Sequence, residues 1–209
     1  MAETQKPPPL VLMAAQAARD ICKRYPHAAK VDEVLDDQQT VEDFFGLLVS
    51  KDLYTDAVQF WANALPKREA VWWACQCARE GYGDEVPPKA GAALAAAEKW
   101  VAEPTETHRR ATEAVARDAG SMNSAAGCAA HAAFWSGGSL GAAGQPVVAP
   151  DDTLTAVGVL AAVIHSGLLM GALTFEENIG ALLYMGYQVA AGNNRWPEPA
   201  RTPSPVRVK

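Results

Sequence analysis

Between Leu53 and Leu65 the apolar residues return at the pitch of a helix. At about 100° per residue, Leu53, Tyr54, Ala57, Phe60, Trp61, Ala64 and Leu65 fall on one broad face, with Asp56, Gln59 and Asn63 opposite. Such a face buries itself against a core. Pro66 ends this helix and suits the start of the next, because its ring fixes φ and it has no amide hydrogen to lose. The following segment, Lys67 to Glu80, therefore folds back as the second arm of a hairpin. On it Ala70, Trp73, Ala74 and Cys77 make an inward stripe, while Trp72 falls beside Arg68, Gln76 and Arg79 on the polar side. Two adjacent indoles on one helix cannot share a face. Trp73 is expected in the core, packed against Trp61; Trp72 needs a neighbour, either another part of this chain or a partner protein.

The same periodicity predicts helices near residues 10–24, 40–50, 51–65, 67–80, 88–102, 105–119, 123–136, 152–169 and 175–191. Alternating β-branched runs do not develop, so the class is all-α. Gly81-Tyr82-Gly83 supplies a stop, Pro87-Pro88 and Pro104 open new elements, and Asp151 or Asp152 is placed to cap the long apolar helix that follows. Hairpins recur at roughly 105–136 and 152–191. The expected architecture is a solenoid-like stack of helical hairpins, eight to nine helices in all. A disordered lead spans 1–9, a single helical domain 10–195, and a flexible tail with four prolines 196–209.

A chain of 209 residues can bury most of its apolar surface in one domain without disulfides. Its formal charge of -6 gives no general attraction to nucleic acid or anionic lipid, and Lys23-Arg24 and Arg109-Arg110 are isolated pairs rather than a basic patch. Cys22, Cys75, Cys77 and Cys128 lack the rhythm of a disulfide scaffold and read as reduced thiols in a cytoplasmic protein. The apolar run Leu10 to Ala18 is too short and alanine-diluted for an export signal. Thr153 to Phe175 has no charged residue and contains Gly167-Leu-Leu-Met-Gly171, the small-xxx-small spacing of packed membrane helices. Carboxylates bracket it at Asp151-Asp152 and Glu176-Glu177, without Lys or Arg anchors. A buried central helix is the better reading, and a membrane anchor through 153–175 the rival.

Chemistry is hard to find. Gly137-Gly138-Ser139-Leu140-Gly141 matches G-x-S-x-G, and Asp151 and His165 follow in the order of serine hydrolases. That motif works because a strand-to-helix turn exposes the serine; here an Ala-rich helix precedes it and a loop follows. A small hydrolase using Ser139 and His165 is thus the alternative, not the leading reading. Cys75 and Cys77 lie about 200° apart on a helix, so they cannot chelate one ion, and Cys128 with His131 makes two ligands where a structural zinc site takes four. Paired carboxylates and the four histidines (His27, His108, His131, His165) follow no selective spacing. No metal, cofactor or nucleic acid is expected. What remains is surface recognition: Trp72 flanked by Arg68, Gln76 and Arg79 combines residue types that dominate binding hot spots, against the alternative that it packs within the chain. The Trp135 to Leu140 corner is a second candidate.

Asp56-Ala-Val-Gln-Phe-Trp-Ala-Asn-Ala-Leu-Pro-Lys-Arg-Glu-Ala-Val-Trp-Trp-Ala-Cys77, then Ala133-Phe-Trp-Ser-Gly-Gly-Ser-Leu140, then Tyr187-Gln-Val-Ala-Ala-Gly with Arg195-Trp-Pro197, resemble an uncharacterised bacterial family of helical proteins associated with type VI secretion gene clusters. The likeness runs from about residue 40 to 197. It implies a cytosolic accessory, adaptor or chaperone-like protein that binds a secretion effector or a spike component. It brings no catalytic residues with it.

Overall fold

The structure is a computed structural model that describes residues 9–142, 144–171 and 173–197. Its elements are α1 (Ala18–Cys22), α2 (Ala29–Asp32), α3 (Val41–Ser50), α4 (Tyr54–Ala64), α5 (Lys67–Tyr82), α6 (Pro88–Ala102), α7 (Glu106–Asp118), a 3-10 turn (Ser121–Asn123), α8 (Ala125–Phe134), α9 (Leu154–Leu169) and α10 (Phe175–Ala190). Among the described residues there is no strand. Side-chain caps set several of the starts. Thr40, Thr105 and Ser124 each accept the amide hydrogen three residues on, and Thr174 with Glu177 forms a reciprocal capping box. Gly83, at φ 60°, closes α5 in a backbone region that glycine enters without penalty.

All ten residues of α8 are buried, which explains its sequence Ala-Ala-Gly-Cys-Ala-Ala-His-Ala-Ala-Phe: a helix enclosed on every side has room only for small side chains. α9 lies against α8, α5 and α4, and α10 crosses α4, α5 and α9. Two of these crossings are tight. A methyl on Gly158 of α9 would meet the backbone of Ala132 at 3.0 Å, and one on Gly81 of α5 would meet Ser166 Cα at 2.9 Å. α9 itself is covered on one side only; Val157 and Leu168 stay exposed. The rival reading of 153–175 as a span does not hold its shape, since α9 ends at Leu169 and α10 begins at Phe175. Among the described residues no helix is long and apolar enough to cross a membrane.

Three local expectations change. Residues 10–17 are not helical: they form an irregular run with bends at Leu12, Ala14 and Gln16, with Val11 N and Leu12 N donating to Ala190 O, Ala14 N to Ala64 O, and Ala17 bridging Thr40. Their backbone groups find partners at the frayed ends of α4 and α10, so a helix is not needed to satisfy them. Trp61 and Trp73 both press on Gly186 of α10, and Trp61 also packs on Phe45 and stacks with Tyr187. Asp151 does not cap α9; its Oδ1 accepts from Thr153 N and Thr153 Oγ1, one step too early, and the helix starts with no side-chain cap. Trp196, assigned to the flexible tail, is half-buried against the domain. The disordered lead over 1–8 and the rest of the tail, 198–209, lie outside the described residues.

Candidate protein-binding surface

The outer face of α5 was the expected docking site, and the structure covers it. Trp72 is only 7% exposed. Its Nε1 donates to Asn194 O at 3.2 Å, and the Trp196 ring stands edge-on to it with centroids 6.4 Å apart. Arg68 donates through Nε to Val101 O (2.5 Å) and through a terminal nitrogen to Ala102 O (2.9 Å), the free carbonyls at the end of α6. Its guanidinium also lies 4.2 Å from the Trp196 ring centre, a cation–π contact. Arg79 makes a forked pair with Glu98 of α6, at 2.5 and 2.7 Å. Gln76 is half-buried between them along the helix. Three of the four predicted residues therefore hold α5 to α6 and to the segment after α10. The solvent-facing Trp72 is overturned: the neighbour the doubled indole required is Asn194 to Trp196 of the same chain.

An open apolar surface lies elsewhere, between α3 and α10. Phe45, Val49, Gly180, Leu183, Tyr184 and Tyr187 line a groove of about 270 Å³. Tyr184 is 65% exposed along its edge, and a methyl on Gly180 would meet nothing within 4 Å, so the missing side chain opens the floor. The walls follow helical spacing: Phe45 and Val49 on α3, and Gly180, Leu183, Tyr184 and Tyr187 on α10. Tyr187 Oη donates to Glu42 Oε1 at 3.0 Å, which fixes that corner, and burial followed by the bonded Glu42 carboxylate pushes the phenol up to about 12. α3 and α10 carry Glu42, Asp43, Glu176 and Glu177 and no Lys or Arg. Phe45 and Val49 have no place in the sequence reading: the Tyr187–Glu42 bond that joins the two walls spans 145 residues, and a contact of that range leaves no local trace.

The serine motif has a different use. Ser139 Oγ accepts from Gly141 N (3.1 Å) and Val148 N (3.0 Å), while His165 Nε2 meets Met122 O (3.1 Å); Ser139 and His165 do not bond to each other. Arg109, 3% exposed, explains the glycines. It donates to Phe134 O and to Ser139 O (2.9 Å), and pairs with Glu106 at 2.6 and 2.8 Å. Gly138, at φ 64°, passes so close that a methyl there would lie 2.8 Å from Arg109 Nη2. The Gly-Gly-Ser turn is thus the receptor of a buried guanidinium. Hydrogen bonds from Arg109 first, then from Arg110, hold the Glu106 carboxyl below its usual range.

The thiols and histidines are placed apart. All four cysteines are buried and free, and burial pushes the Cys128 thiol up to about 11. Among the described residues no three His, Cys, Asp or Glu side chains are grouped to hold a metal ion. His131 pairs through Nε2 with Ser121 Oγ (2.9 Å) and stacks on Trp135; burial first, then the charge of Arg117, lowers its pKa.

The all-helical fold of the described residues defines the class. The chain belongs to the family described as "Family of unknown function (DUF6931)", which matches residues 44–190 and so takes in α4 to α10 entire. Comparison with curated proteins and comparison with solved structures each gave no match.

Proposed function

We propose that this protein is a non-enzymatic interaction protein that receives a basic, amphipathic segment of a protein partner in the groove between α3 and α10. One observation carries the reading: an apolar trough, floored by Gly180 and edged by Tyr184, sits between two helices whose only charged side chains are carboxylates. An apolar ridge entering the trough would remove the exposed parts of Phe45, Val49 and Tyr184 from water, at roughly 25 cal/mol per Å² of apolar surface. Lysines or arginines beside that ridge would meet Glu42, Asp43, Glu176 and Glu177. The resemblance supplies the partner to try first, a type VI secretion effector or spike component, with this chain as its cytoplasmic adaptor or chaperone-like accessory.

The test is calorimetric titration of the full chain with the basic amphipathic segments of effector and spike proteins encoded near its gene. Gly180→Leu fills the floor from a position where a Cβ meets nothing within 4 Å, so the backbone of α10 accepts it. It should weaken binding about tenfold or more, as should Tyr184→Ala. Binding that both variants leave intact overturns the groove. A wild-type chain that pairs with itself through these residues, seen by sedimentation, would replace the partner with a second copy.

A further inference from the structure

The carbonyl end of α4 and the amide ends of α5 and α9 surround a second cavity. It has a volume of about 460 Å³, and Arg24, Asn63, Pro66, Lys67, Thr153 and Thr155 are on its wall. Its chemistry is unlike that of the apolar groove, and the inference goes beyond the function proposed above.

Two uncapped helix starts meet here. α5 begins after Pro66 with no side-chain cap, and its first internal bond is Ala70 N to Pro66 O, which leaves the amides of Lys67, Arg68 and Glu69 ahead of it. α9 also has no side-chain cap, because Asp151 is spent on Thr153; the amides of Thr155 and Ala156 precede the first internal bond, Val157 N to Thr153 O. Each such end carries about half a positive charge. Lys67 and Arg24 add two full ones. Arg24 uses two of its donors on Asn63 O (3.4 Å) and Ala14 O (3.2 Å), and a guanidinium has five.

A separate observation points to a ligand. Thr155 is 2% exposed, yet its Oγ1 has no hydrogen-bond partner among the described residues. Buried hydroxyls are almost always bonded. The only carboxylate on the wall is Asp152, fully exposed, whose Oδ1 lies 3.2 Å from Lys67 Nζ.

We propose that this cavity binds a small phosphate monoester, its phosphate held by the first-turn amides of α5 and α9, Lys67, Arg24 and the Thr155 hydroxyl. Convergent amides and a lysine suit the three oxygens of a phosphate, as in other helix-terminus sites. The remaining volume is far larger than the ion and takes the organic part of the molecule.

Titrate the full chain at low ionic strength with inorganic phosphate, glycerol 3-phosphate, acetate, and vesicles containing phosphatidic acid, following heat and melting temperature. Phosphate and glycerol 3-phosphate should bind saturably and raise the melting temperature. Lys67→Gln, which breaks only an exposed ion pair in the free protein, should weaken binding about tenfold; Asp152→Asn, which removes the resident carboxylate, should tighten it about threefold or more. Thr155→Val keeps the shape and removes an unpartnered hydroxyl, so it should melt no lower than wild type without phosphate and gain less on adding it. No saturable phosphate binding at about 10 mM overturns the site. So does binding that Lys67→Gln and Thr155→Val both leave unchanged, acetate binding as tight as phosphate, or binding to vesicles alone.

Discussion

Trp73 lies so close to Gly186 of α10 that a methyl group on that glycine would sit 2.8 Å from the indole Cε2. The same indole donates Nε1 to Leu182 O, one turn earlier on α10, at 2.8 Å. α10 is therefore clamped to α5 at a position where the helix surface must be bare. Gly186→Ala should destabilise the fold by about 1–3 kcal/mol, the usual cost of overpacking a rigid core. Gly180→Ala, on the same helix but facing open space, should stabilise it by about 0.5–1 kcal/mol through helix propensity alone. Urea unfolding of the pair checks this. Equal effects of the two changes would mean that α10 is not pinned by Trp73.

How legible this was depends on the range of each interaction. The α4 and α5 hairpin, Pro66 at its turn and the Trp73 stripe come from periodicity within 30 residues, and each is where the pattern puts it. Trp72 was readable only as far as its need for a neighbour. The neighbour begins 122 residues further on at Asn194 and ends at Trp196, the first residue of the proline-rich segment that reads as a tail. Residues 10–17 have helix-forming alanines, but their amides are claimed by Ala64 and Ala190, carbonyls that no local pattern can nominate. The groove fails for the same reason. Gly180 on α10 is an ordinary helical glycine until α3 is laid beside it.

The segment after α10 acts as a cover, and its removal should be visible. Trp196→Ala takes away the ring that faces Trp72 and carries the Arg68 guanidinium. The cost should be modest, about 1–2 kcal/mol for a half-buried aromatic with one cation–π contact. Iodide quenching of Trp72, read as the difference between otherwise identical chains with and without Trp72→Phe, should rise sharply in the Trp196→Ala background. Quenching unchanged by Trp196→Ala would show that something other than Trp196 shields the indole.

Acid should loosen the contact between α8 and the 3-10 turn. Burial lowers the pKa of His131 from its ordinary 6.5, so the unfolded chain binds the proton more readily than the folded one. The contribution is fully present above about pH 6.5 and is lost as pH falls through the folded value. His27 has the opposite sign: its bond to Asp32 raises it, so its contribution is full below 6.5 and is lost as pH rises through the folded value. The lowered carboxyl of Glu106 begins to matter only below its ordinary 4.5. Between pH 6.5 and 4.5 the slope of stability with pH is thus the place to see His131. His131→Gln, which keeps a partner for Ser121, should flatten that slope in urea titrations. An unchanged slope would rule out His131 as its source.

The Gly-Gly-Ser turn after α8 gives the sharpest separation between structural and catalytic readings. Arg109 feeds four acceptors with one planar group, and a lysine ammonium cannot span the Phe134 and Ser139 carbonyls and the Glu106 carboxylate together. Glu106 is half-exposed, so its pairing is discounted; the two carbonyl bonds from a charged donor dominate. Arg109→Lys should cost about 2–3 kcal/mol, and Gly138→Ala about 1–2 kcal/mol from its left-handed backbone, with added strain against Arg109. Both should release the amides of Gly141 and Val148 to hydrogen exchange, because those amides depend on Ser139 staying in place. Ser139→Ala should release the same two amides while leaving Arg109 bound to the turn's carbonyl. If Ser139→Ala instead left their protection intact, the serine would not be the turn's anchor, and its exposed hydroxyl chemistry would return as a question.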